Sequence, residues 1–225
     1  METFSLLILK GYQISIEPFR RVLGPISLLV CLSVLNGLAP VTALAAPATS
    51  LASNVGKAEQ AFLDALAQPS TLVLVRHAQT VPGIGDPPEF RLEDCATQRN
   101  LSLEGQQQAR AMGAWFARHG VVFSRVRSSQ WCRCLDTAAE AFGRPRVEPF
   151  PDLNSFFQGH GNRQRQILGL RRAGEMKDRG LEIWVTHQVT IGALSGQGVG
   201  MGEMLAVRVQ PGGDWQVIAR LTVLP

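Results

Sequence analysis

The sequence predicts an α/β fold, a three-layer α/β/α sandwich around a mostly parallel central sheet. Three observations carry this expectation. The apolar run Leu72-Val73-Leu74-Val75 breaks abruptly into Arg76 and His77, and Val-rich runs bounded by a polar break read as buried central strands. A later run, Leu181-Glu182-Ile183-Trp184-Val185-Thr186, repeats the design and ends in His187. Between and around them, helix-like and strand-like segments alternate, which is the pattern of a doubly wound sheet.

Taken in order, residues 46–53 read as an Ala/Ser/Thr/Pro linker, and residues 57–66 as a helix with Ala58, Phe62 and Leu66 inward, covering one edge of the sheet. Strand 71–75 follows. A Gly/Pro-rich loop then runs over the strand ends through residues 79–100, and loops of that length in compact domains are usually functional or disordered. Ser102 caps a helix reaching Arg118, with Leu103, Ala109, Met112 and Phe116 inward and Gly120 as its stop. The spacing next predicts a strand over 121–126, a helix over 131–142 stopped by Gly143, and a short strand over 146–149. Residues 162–177 read as a helix closed by Gly180, and 181–186 as the second central strand. Segments 203–209 and 215–224 flank Pro211-Gly212-Gly213 as a closing hairpin. There is no internal repeat.

The amino-terminal 45 residues read as a targeting segment rather than as part of the fold. Arg20-Arg21 precede a stretch without charge from Val22 to Gly56, and Ala43-Leu44-Ala45 supplies the small residues of a cleavage site. The region ahead of the apolar stretch is long, which leaves two readings: a start downstream of Met1, or a twin-arginine-type signal. Pro25, Pro40 and the Ala-rich exit favour a cleaved signal over an anchor. The alternative is an uncleaved span at residues 22–38, close to the ~17–25 residues that cross a bilayer. The expected location is therefore periplasmic or secreted, with membrane contact only through an uncleaved segment. Lys10, Arg20, Arg21, Glu2 and Glu17 leave with the signal, so the remaining 180 residues carry 19 basic against 16 acidic side chains. That length suits one domain, here 70–225 preceded by the linker and helix of 46–69. No Lys/Arg run with interleaved aromatics is present, which argues against a nucleic-acid partner.

Cys31 also leaves with the signal, so Cys95, Cys132 and Cys134 enter a compartment that permits disulfides. Three thiols allow one intramolecular bridge at most. Cys132 and Cys134, two apart on a helix, point to different sides, and Cys134 shares a face with Ala138 and Phe142. The expected bridge is Cys95 to Cys132. That helix geometry keeps Cys-Arg-Cys from clamping one ion, and the four histidines lack metal-ligand spacing, so no metal or cofactor is implied.

Open α/β sheets bind ligands at the carboxyl ends of their strands, where Arg76, His77 and His187 are expected. Ser128-Ser129-Gln130-Trp131-Cys132-Arg133 adds a Ser-rich turn opening a helix with an arginine in its first turn. Two histidines and two arginines so placed suit a tetrahedral anion such as phosphate. The residues also carry a resemblance. Leu74-Val75-Arg76-His77-Ala78 resembles the Arg-His-Gly motif of the histidine phosphatase superfamily, whose fold is called phosphoglycerate mutase-like. Ser128-Ser129 with Arg133 and Thr137-Ala138 resembles its second block, and Val185-Thr186-His187 its third. The likeness runs from about Leu72 to about Gly196. Any one tripeptide is weak evidence, whereas three blocks in order are specific. Ala78 stands where the family most often has glycine.

The resemblance implies a metal-independent phosphatase acting on a phosphoester or phosphoramidate through a phosphohistidine on His77. Arg76 and Arg133 would grip the phosphoryl oxygens, and His187 would donate to another. Family members that hydrolyse ordinary monoesters supply a carboxylate as general acid, worth typically ~10²–10⁴-fold. Gln188 follows His187 and removes one such arrangement, leaving Asp152 and Glu203 as candidates. The related phosphohistidine phosphatases manage without this acid. Expected substrates are a small phosphorylated molecule or an envelope phosphate group. The alternative is a catalytically weak phosphate-binding or interaction module that retains the pocket. Outside this set, His119 reads as a helix C-terminal cap, and His160, between two glycines, as a solvated loop residue.

Overall fold

β1 (Thr71–Arg76) and β4 (Glu182–Thr186) lie side by side at the centre of a six-stranded sheet of order β3-β2-β4-β1-β5-β6, with β2 at Arg125–Ser128, β3 at Val147–Pro149, β5 at Glu203–Arg208 and β6 at Gln216–Thr222. This is a computed structural model, and it describes residues 48–176, 178–210, 212 and 215–225. The signal or anchor read at residues 1–45, Cys31 within it, and Lys177, Pro211 and Gly213 lie outside the described residues. The β1–β4, β2–β4 and β2–β3 pairs are parallel, while β5 runs antiparallel to both β1 and β6. The sheet is thus mostly parallel, as the sequence predicts.

Alternation along the strands divides the core into two layers. Val73, Val75, Val126, Ile183 and Val185 face Phe62 of α1 (Ala48–Leu66), Met112, Trp115 and Phe116 of α2 (Leu103–Arg118), and Cys134, Ala138 and Phe142 of α3 (Cys132–Phe142). Leu72, Leu74, Trp184, Leu205 and Val207 face Leu170 of α4 (Arg163–Gly174) and Ile191 and Leu194 of α5 (Gln188–Ser195). Burying such a side chain contributes roughly 1.5–3 kcal/mol, and β1 buries four in succession with no exposed surface. Helices on both faces make the three-layer sandwich.

Several elements differ from the sequence reading. α1 begins at Ala48, inside the expected linker; Phe62 and Ala65 are buried and Leu66 packs against the core, whereas Ala58 is exposed. Leu103 is 63% exposed rather than inward. The α2 stripe is instead set by Gly105, which lies against the Gln79 backbone, and by Trp115, whose indole donates to Glu59. β2 is displaced to Arg125–Ser128 because only those residues reach β4, and Val122 remains 87% exposed. Arg127 can be buried there because it meets Glu182 at 3.6 Å and lies over the Phe150 and Trp184 rings. α4 stops at Gly174, where Trp215 leaves no room for a β-carbon. α5, with no side-chain cap and only eight residues, is absent from the sequence reading.

Candidate active site

The parallel register pairs Arg76 with Thr186, so His77 and His187 follow one another out of neighbouring strands. The His77 N–H donates to the Thr186 carbonyl at 3.0 Å, tying the two exits together. From the β5 side, the Gly202 N–H donates to the Arg76 and His77 carbonyls at 3.2 and 3.0 Å. A β-carbon at Gly202 would lie 2.2 Å from the Gln108 amide, and its φ of +72° favours glycine as well. Ala78 is fully buried with Leu101 and Ala109, and its N–H donates to Thr137 Oγ1 at 2.9 Å. That small apolar cluster houses the methyl group that distinguishes this motif from Arg-His-Gly.

Arg76, His77, Arg133 and His187 line a single cleft of about 320 Å³ together with Asp86, Arg99, Trp131, His160 and the first-turn residues Gln188 and Val189 of α5. His77, Arg133 and His187 form its floor, each less than 5% exposed. Asp86 and the exposed Phe157, Gln158 and His160 form its mouth.

The His77 ring is set for one role. Its Nδ1 lies 2.9 Å from the Ala78 carbonyl, which can only accept, so Nδ1 carries the proton and Nε2 the lone pair. Burial pushes the His77 pKa down to about 3, the Ala78 hydrogen bond opposes this, and repulsion from Arg133, Arg76 and Arg99 adds to the lowering. The imidazole is therefore neutral near pH 7. His187, with ring centroid 5.6 Å from that of His77, is lowered well below its ordinary value by burial first, then by Arg133 and His77. Its Nε2 lies 2.9 Å from Ser129 Oγ. Ser129 gives its one hydrogen to Asn154 Oδ1 at 3.1 Å, so its lone pair receives the His187 Nε2–H.

The arginines are less satisfied. Arg76 Nη1 donates to the Val199 carbonyl at 2.8 Å. Arg133 Nη1 donates to Asp86 Oδ1 at 2.9 Å, and its guanidinium lies 4.4 Å from the centre of the Trp131 ring. Arg76, Arg99 and Arg133 each bury an Nε–H that has no partner among the described residues. Burial and then the neighbouring guanidiniums lower the pKa of Arg76, and burial and Arg133 lower that of Arg99.

The sequence reading missed Arg99 and Asp86, which lie in the 79–100 loop without periodicity to mark them. Three ties bring them to the site. Cys95 is disulfide-bonded to Cys132, as expected, leaving Cys134 free and buried. Gln98 donates to the Arg91 and Leu92 carbonyls and accepts from the Cys132 N–H at 3.0 Å. The Arg99 N–H donates to Asp86 Oδ1 at 3.0 Å.

Neither nominated acid lines the cleft. Leu153 is buried in the core, and the neighbouring Asp152 turns its carboxylate onto Gly169 of α4. Glu203 accepts from Arg220 Nε and from the Gly200 N–H, each at 2.7 Å. His160 lines the mouth, with its ring edge-on to Phe90 at 4.9 Å, rather than standing in solvent alone. His119 is the C-cap of α2 and lines no part of the cleft.

Residues 72–160 match the family model described as histidine phosphatase superfamily (branch 1). Over that stretch the chain is similar to the histidine phosphatase superfamily. A solved structure of the protein histidine phosphatase SixA complexed with tungstate is similar in fold at 16% identity and a TM-score of 0.50, covering 68% of this chain and 96% of that one. The alpha-ribazole phosphatase from Shigella flexneri is 17% identical over 69% of this chain and 98% of its own, with a TM-score of 0.49. For Bacillus stearothermophilus YhfR the values are 17%, 66%, 95% and 0.47. No curated protein matches the chain.

Proposed function

We propose that this protein is a phosphatase of the histidine phosphatase superfamily that transfers a phosphoryl group to His77 Nε2 and hydrolyses the resulting phosphohistidine without a metal ion. One observation carries the reading: three guanidiniums with unpartnered buried Nε–H groups surround a neutral histidine whose free lone pair is on Nε2. Buried unpaired donors are costly unless a ligand satisfies them. With Asp86 as the one carboxylate lining the cleft among the described residues, two positive charges stay uncompensated there, which matches a phosphomonoester dianion.

Phosphoryl transfer asks the protein for position and electrostatic support more than for covalent chemistry. The floor holds His77 for in-line attack, and Arg76, Arg99 and Arg133 offer planar forks to the equatorial oxygens. The amino end of α5 adds free N–H groups and the positive end of its dipole. The His187 Nε2–H, held on Ser129 Oγ, would exchange that acceptor for a phosphoryl oxygen. The Cys95–Cys132 bridge supports an oxidising compartment, and with the charge-free stretch after Arg21 it favours export to the periplasm or beyond. There the substrate would be a small phosphorylated molecule or an envelope phosphate group. A panel of phosphoesters and phosphoramidates assayed with chelator present tests this reading: turnover is expected, while phosphate or vanadate binding without turnover of any substrate contradicts it.

A further inference from the structure

We infer that Asp86 is the general acid of this reaction and that it holds the Arg133 position that the phosphoryl group takes. The inference rests on the phosphatase reading above and adds its missing proton donor. Attack by His77 Nε2 from the floor places the leaving oxygen on the far side of phosphorus, towards the mouth, because the displacement is in line. Among the described residues Asp86 is the one carboxylate lining the cleft, and its side chain is 19% exposed against 5% for that of Arg133, so it stands on the mouth side.

Its hydrogen bonds hold it there and make it exchangeable. Oδ1 accepts both from Arg133 Nη1 at 2.9 Å and from the Arg99 N–H at 3.0 Å. The backbone donor fixes the side chain, while the Arg133 fork is the group a phosphate competes for. The charged and titratable groups around Asp86 are Arg133 from α3, Arg99 from its own loop, and Arg76, His77, His187 and His160 across the cleft. When a phosphoryl dianion occupies the Arg133 fork, the Asp86 carboxylate is released from that cation and is free to face the leaving oxygen. A proton from solvent at the mouth completes the acid.

The step balances. The His77 Nε2 lone pair forms the N–P bond, the bond from phosphorus to the leaving oxygen breaks, and the Asp86 proton goes to that oxygen, releasing a neutral alcohol. Water then attacks phosphorus, the Asp86 carboxylate takes the water proton, the N–P bond breaks, and phosphate leaves with His77 neutral again.

The test compares p-nitrophenyl phosphate, whose leaving group needs no proton, with β-glycerol phosphate, whose alkoxide does. Wild type, Asp86→Asn, His160→Gln and His77→Ala are assayed on both. Asparagine keeps the acceptor for the Arg99 N–H and lacks the acid. Asp86→Asn is expected to lose on the order of 10²–10⁴-fold in turnover of the alkyl ester, and at least about tenfold less than that on the aryl ester. Its affinity for inorganic phosphate should persist. Equal losses on both esters, no loss on the alkyl ester, lost phosphate affinity, a wild type confined to aryl esters, or a selective alkyl loss in His160→Gln each overturn the assignment. His77→Ala keeps the two claims apart: full turnover in that variant removes the phosphatase reading itself, whereas an inactive His77→Ala beside an unselective Asp86→Asn removes only the role of Asp86.

Discussion

Replacing Cys95 and Cys132 together by alanine removes the covalent tie between the 79–100 loop and α3, and its cost follows from the loop it closes. The two cysteines are 37 positions apart, and in the chain-entropy model a loop of that size constrains the unfolded chain by about 3–4 kcal/mol. In a domain of this length each kcal/mol is worth roughly 2–4 °C in Tm, so a fall of roughly 6–16 °C is expected. The site should suffer too. Gln98 meets the Cys132 N–H beside the bridge, and Arg99 and Asp86 depend on the same loop. Denaturant unfolding of wild type and double variant measures the first effect, and vanadate inhibition of turnover the second. Reductant should move wild type towards the variant, because buried Cys134 offers no substitute partner. A loss below about 1 kcal/mol with unchanged vanadate inhibition would refute the reasoning.

Two further outcomes follow from the same geometry. A β-carbon at Gly105 would lie 1.9 Å from the Gln79 carbonyl oxygen, so Gly105→Ala should cost about 1–3 kcal/mol by overpacking and lower turnover, since Gln79 continues the His77-Ala78 exit; a variant as stable and active as wild type contradicts this. Burial, reinforced by Arg133, Arg76 and Arg99, holds folded His77 near 3 against an ordinary value of 6.5. Between those pH values the unfolded chain binds a proton that the folded chain excludes. Its contribution is complete above about pH 6.5 and is lost as pH falls towards about 3, at up to about 1.4 kcal/mol per pH unit. Tm measured against pH should decline less steeply over that window in His77→Asn than in wild type, and equal slopes contradict the assignment.

The floor of the cleft was legible in the sequence because its residues sit where regular structure stops. Arg76, His77 and His187 end apolar runs, and Arg133 opens a helix. The same helix geometry that turns Cys134 into the core leaves Cys132 for Cys95. The mouth was not legible. Asp86 and Arg99 belong to a segment with no period, and they meet Arg133 through a disulfide, the Gln98 side chain and one backbone hydrogen bond. The nominated acids failed for the same reason: Asp152 follows its turn onto α4, and Glu203 is held by Arg220. Among the elements, β propensity at Val121-Val122-Phe123 pointed to a strand that tertiary pairing placed one step later, over a buried Arg127 made tolerable by Glu182. α5 lacked a polar cap and the length that periodicity needs.

The central claim is that His77 Nε2 carries the phosphoryl group. Rapid quenching of the enzyme during turnover of p-nitrophenyl [³²P]phosphate tests it directly. The account predicts a phosphoprotein that is stable in base and labile in acid, with the label on the peptide containing His77 and absent from His77→Ala. Steady turnover with no trapped phosphoprotein, or full activity in His77→Ala, would contradict it.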